Sequence, residues 1–184
     1  MNLLINIAAF KLGWLSSVFG GAQQLPWLGP LVVFIAVALH LARAQRPSSE
    51  LMLVLSCGLI GAVFDSVLVA AGWVTFPSGM FSDMMAPYWI VTMWMLFGTT
   101  INMSMRWMRG RPLLASAFGF VGGPLAYVAG HKIGGIVFVD QMAAIAMLAV
   151  GWAVIMPLLM QLGERLDGVS PDSPQGDVVG QRIS

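Results

Sequence analysis

Charge is what this sequence has least of. Only 9% of its 184 residues are Asp, Glu, Lys or Arg, while 58% are hydrophobic and the mean hydropathy is +0.84. Soluble domains carry about 25% charged residues, so this chain lacks the polar side chains to cover a water-facing surface. A formal net charge of +1 gives no field for nucleic acid or an acidic substrate. The single cysteine, Cys57, sits in an apolar run, which excludes an intrachain disulfide framework and a thiolate metal cluster. Phosphate loops, zinc motifs and nucleophile elbows are missing too. The 14 methionines have no His or Cys clustered with them, so they read as adaptable packing rather than a copper site. No metal, no cofactor and no nucleic-acid partner is therefore expected. A secretory signal is not expected either, because a basic leader is missing and Lys11 interrupts the first apolar run.

What the sequence has is long apolar stretches. Six of them, at approximately 2–20, 27–44, 51–72, 87–106, 112–130 and 138–162, approach the length needed to cross a bilayer. Breakers separate them, as in "QQLPWLGP", "AQRPSSE", "RGRP" and "HKIGG". The expected fold is all-α, a polytopic membrane bundle of six transmembrane helices over 1–163, followed by a disordered cytoplasmic tail over 164–184. Arg43, Arg46, Arg106, Arg109, Arg111, Arg165 and Arg182 all fall after even-numbered spans. The positive-inside rule makes that side, and both termini, cytoplasmic. Trp27, Trp73 and Trp89 then mark the outer interface and Trp107 the inner one.

Membrane helices pack through small residues. Ala9, Gly13, Ser17 and Gly21 form such a face on the first span, which serves bundle packing or, as a sharper reading, a membrane or soluble protein partner or a second copy in a homodimer. The third span carries Gly58, Gly61 and Asp65 at helical spacing, so Asp65 points into the bundle. Intramembrane carboxylates are costly and usually serve a partner or a pathway. Lys11 is the nearest counter-charge by depth, which makes a buried Lys11–Asp65 ion pair one expectation. Another is an outer-leaflet binding cleft framed by Asp65, Ser66, Trp89, Tyr127, His131 and Asp140, where an acid, a phenol and an imidazole would suit general acid/base work. Asp140 also reads as a helix N-cap. His40 reads as an interfacial residue, and Thr99, Thr100, Asn102 and Ser104 as interhelical glue.

Three stretches, "LIGAVFDSVLVAAGWVTFP", "APYWIVTMWMLFGTTINMSMRWM" and "GFVGGPLAYVAGHKIG", resemble a family of bacterial inner-membrane proteins catalogued as a domain of unknown function. The resemblance covers about residues 5–160 and rests on Asp65-Ser66, Pro87 with Trp89, and Gly122-Gly123-Pro124 with Tyr127 and Gly130. Tyr88, between Pro87 and Trp89, loosens the second of these. The likeness implies a multi-pass protein of the bacterial inner membrane and supplies no catalytic residue. Genes of the family resemble neighbours of cyclopropane-synthase-like methyltransferases, which implies lipid handling or an accessory role in fatty-acid modification, with membrane lipid as partner. A small-solute transporter, or the substrate-capture subunit of one, is the alternative that six spans and an outward pocket suggest. An intramembrane enzyme using Asp65, Tyr127 and His131 is a third.

Overall fold

The computed structural model of the chain describes residues 3–169 and is built from helices. They are α1 (Leu3–Ala22), α2 (Leu28–Leu41), α3 (Pro47–Ala70), α4 (Tyr88–Ile101), α5 (Pro112–Ile133) and α6 (Gln141–Arg165). A 3-10 turn, Arg106–Met108, joins α4 to α5. Proline opens α3 and α5 at the first turn, where its missing N–H leaves no bond unmade. Gly134 closes α5 in the left-handed conformation, with φ 94°.

Four helices, α1, α3, α5 and α6, are long and apolar enough to cross a membrane by length and composition. The other two are apolar but only 14 residues each, about 21 Å at 1.5 Å per residue. Helix α4 stops well before residue 106, the end expected from hydropathy. Thr99 and Thr100 donate their hydroxyls to carbonyls one turn back, Leu96 and Phe97, rather than across helices. Arg106 Nε then caps the Asn102 carbonyl at 3.0 Å.

Helices α3 with α4 and α5 with α6 pack as intimate pairs, and α4 lies against α1 and α2 as well. The outside is apolar, with Leu12, Phe19, Phe34, Leu59, Val63, Leu125 and Val154 all more than half exposed. A soluble fold would bury such residues; here they face outward all round, as lipid-facing surfaces do. One short antiparallel pair, β1 (Val74–Thr75) with β2 (Val137–Phe138), ties the α3–α4 loop to the α5–α6 loop.

The small-residue face of α1 is covered within the chain. Ala9 packs against the cluster of Val33, Val37, Val54 and Leu96. A Cβ on Gly21 would meet Trp89 at 2.8 Å, and one on Gly29 of α2 would lie 2.7 Å from Ser17 Cβ and closer still to its Cα and Oγ. Within the chain that face makes the contact of α1 with α2 and α4, which is the bundle-packing reading of it. Replacing Gly29 with valine should lower stability by about 1–3 kcal/mol through overpacking, read as an earlier thermal transition in detergent.

The tail expected to begin at Glu164 is ordered for several residues more. Helix α6 continues to Arg165, and Asp167 and Gly168 are buried. The rest of that expected tail, 170–184, lies outside the described residues.

Candidate functional site

Asp65 is completely buried, and both of its oxygens accept hydrogen bonds from aromatic side chains. Trp94 of α4 donates its indole N–H to Oδ2 at 2.7 Å, and Tyr127 of α5 donates its hydroxyl to Oδ1 at 2.5 Å. Local sequence makes the first bond feasible. Gly61 stands one turn before Asp65, and the Trp94 ring lies directly on that bare stretch of α3. One fully buried carboxyl thus fastens α3, α4 and α5.

Trp94 and Tyr127 have a second face, which lines a cavity of about 470 Å³ bounded by α1, α4, α5 and α6. Trp152 stacks on Trp94 with ring centroids 4.4 Å apart, and Phe97 stands edge-on to Trp152 at 5.4 Å. Trp152 fits because α5 carries Gly123 opposite it. Phe10 and Trp14 of α1 complete the aromatic wall. Gly122 faces into the space, with only the Phe118 ring, 3.7 Å away, near the position of a Cβ. The opening runs between α1 and α5. Toward the ends of α1 and α5 nearest the strand pair, Val18 and Ala22 close on Gly130, Gly134 and Gly135. Farther along, Lys11, Leu15 and Phe118 line the cavity and are exposed.

The six residues expected to frame an outer cleft separate. Only Asp65 and Tyr127 meet. Ser66 Oγ accepts from the Ala86 N–H at 3.0 Å. Trp89 is buried under the α3–α4 loop, donating to the Ser78 carbonyl at 3.0 Å, and is no interfacial aromatic. His131 is exposed and its Nδ1 is 2.9 Å from the Ile136 carbonyl. Asp140 caps α6 by accepting from the Ala143 N–H at 3.0 Å. The expected Lys11–Asp65 pair does not form. Trp94 and Tyr127 occupy the carboxyl, while Lys11 sits exposed at the cavity mouth.

A second buried polar cluster, at the end of the bundle that carries the arginines, went unread in the sequence. Glu50, in the first turn of α3 and fully buried, accepts from His40 Nε2 at 2.7 Å, Asn102 Nδ2 at 2.6 Å and the Gly168 N–H at 2.8 Å. Asp167 accepts from Arg106 at 2.7 and 2.9 Å and from Arg109 at 2.7 Å. His40, expected at the interface, is buried, as is Asn102, which also accepts from Arg109. These bonds clamp the segment after α6 against α2, α3 and α4. Each residue of the cluster makes at least one of these bonds within the protein, while His40 Nδ1 and Arg109 Nε are buried without a partner among the described residues. Among the described residues no three His, Cys, Asp or Glu side chains are placed to hold a metal ion.

Residues 3–158 match a family model described as "Protein of unknown function (DUF2878)". No curated protein matches the chain, and no solved structure does.

Proposed function

The chain belongs to the family described as Protein of unknown function (DUF2878), and we propose that it is a multi-pass protein of the bacterial inner membrane that holds a lipid acyl chain within its bundle. One observation carries this reading: an apolar, aromatic-walled cavity of about 470 Å³ whose exposed lining residues, Lys11, Leu15 and Phe118, lie on α1 and α5. Its volume falls in the range of about 300–1,000 Å³ usual for small-molecule sites. A water-soluble solute would need several polar groups converging on it. The polar atoms of Trp94 and Tyr127 instead turn away to Asp65, which favours a hydrocarbon occupant over the transporter reading. Six crossings complete the topology in this proposal, with α2 and α4 extended by their flanking turns and the arginine-rich end cytoplasmic. Holding a single acyl chain would suit presentation of lipid to an enzyme that modifies it.

Gly122→Leu tests the reading, because the new side chain projects into open cavity rather than into packed neighbours. Native mass spectrometry of wild type should show a retained phospholipid or fatty acid. In the variant retention should fall at least about tenfold, since each lost buried methylene contact is worth about 0.8 kcal/mol. A retained water-soluble metabolite would favour the transporter. Equal lipid retention by both proteins would sink the cavity as its site.

A further inference from the structure

We propose that the cavity selects acyl chains bearing a negatively charged head, with Lys11 as the counter-charge, and that they enter from the leaflet beside the first half of α1. This rests on the acyl-chain reading above and adds the head chemistry and the direction of entry. Lys11 is the one charged residue among those that line the cavity. It stands eight residues after Leu3, about 12 Å along the helix, in a run otherwise apolar for a turn on either side. A lysine at that depth is unfavourable in hydrocarbon without a partner.

The protein supplies none from its described carboxylates. Asp65 is bonded to Trp94 and Tyr127, and Glu50 to His40, Asn102 and Gly168. Asp167 holds Arg106 and Arg109, Asp140 caps α6, and Glu164 accepts from the Gly110 N–H. Asp83 lies exposed in the α3–α4 loop. The counter-charge to Lys11 must therefore come from outside the described chain. Simple snorkelling would satisfy the amine in water, but would not require an aromatic cavity at its base. Phe10 and Trp14 flank Lys11 on the same wall, where a chain continuing from the head would pass.

The shape of the opening sets the direction. At the far end of the slot a Cβ on Gly135 would lie 2.7 Å from the Val18 carbonyl, and one on Gly134 would lie 3.7 Å from Ala22, so α1 and α5 close there. The slot is open where Lys11, Leu15 and Phe118 are exposed. A head at Lys11 leaves its chain to run toward Val18 and Ile136.

Trp14, Trp94 and Trp152 line the space and give the test its signal. Dibrominated stearate and its methyl ester, and dibrominated phosphatidylglycerol and phosphatidylcholine, would each be titrated against the detergent-solubilised full chain, following quenching of tryptophan fluorescence. Wild type should bind at least one anionic probe about tenfold or more tighter than its uncharged or zwitterionic counterpart. Stearate as the preferred probe assigns a free fatty acid, and phosphatidylglycerol a phospholipid head. Lys11→Gln should abolish the preference by weakening the anionic probe, Lys11→Arg should keep it, and Lys132→Gln, which removes an exposed charge away from the cavity, should not alter it. Loss of the preference in Lys132→Gln as well, or its survival in Lys11→Gln, would overturn the proposal. So would equal binding of charged and neutral probes by wild type. If those probes still lose affinity in Gly122→Leu, the acyl-chain site stands without Lys11; if Gly122→Leu binds every probe like wild type, both readings fall.

Discussion

Replacing Glu50 with alanine should destabilise the chain by about 3–5 kcal/mol, the usual consequence of removing one side of a buried, bonded charge cluster. The side chain is fully buried, and three donors converge on it from α2, from the turn after α4 and from the segment after α6. Without the carboxyl, His40 and the Gly168 N–H keep their burial and lose their acceptor, Asn102 keeps only the longer bond to the Leu166 carbonyl, and each stranded donor carries a desolvation penalty. The damage should spread by a definite route. Asn102 also accepts from Arg109, and Arg109 holds Asp167, so the clamp on the segment after α6 loosens. Thermal unfolding in detergent should fall by roughly 10 °C or more, and trypsin should cut at Arg165 faster than in wild type. Glu50→Gln, which keeps the shape and one acceptor, should fall between. A Glu50→Ala protein that melts with wild type would mean the three donors are readily rehydrated, and would remove the clamp as a source of stability.

Asp65→Ala should destabilise by about 2–6 kcal/mol, because it strands the Trp94 and Tyr127 donors at about 1–3 kcal/mol each. Its effect differs in kind from that of Glu50. The two rings it releases form the wall of the cavity, so lipid retention should decline together with stability. A double-mutant cycle with Tyr127→Phe separates the hydrogen bond from the packing. Direct coupling across the 2.5 Å bond predicts an interaction energy of about 0.5–3 kcal/mol; additive losses would show that Tyr127 is held by its neighbours and not by Asp65. Lys11→Gln should leave stability almost unchanged, since Lys11 and Asp65 do not touch. A large loss in that variant would restore the ion pair that the geometry rejects.

Local pattern carried the reading of this protein a long way. The ends of α1, α3, α5 and α6 fall within a few residues of the expected spans, because hydropathy and the breakers Pro, Gly and Ser act over one or two turns. Asp140 as a cap was legible for the same reason: its partner, the Ala143 N–H, is three residues away. The inward direction of Asp65 followed from Gly58 and Gly61 on its helix face, which dock on Met95 and Trp94 of α4. The candidate site was legible only in half, as Asp65 and Tyr127. A signal for the rest was present but weak. Gly61 one turn before Asp65 marks room for a ring, and Gly151-Trp152 repeats a dipeptide seen at Gly13-Trp14, yet neither names Trp94 or Trp152 as wall residues.

The sequence by itself determined an apolar helical bundle, its docking glycines and a carboxyl turned inward, because composition and helical period are properties of neighbouring residues. Only the tertiary structure decided what that carboxyl meets. Trp94 and Tyr127 are 29 and 62 residues from Asp65, Asn102 is 52 and Gly168 is 118 from Glu50, and His40 reaches Glu50 from a different helix. Where water is scarce a buried polar group bonds whichever donor the packing brings to it, and packing depends on how helices cross, which no window along the chain contains.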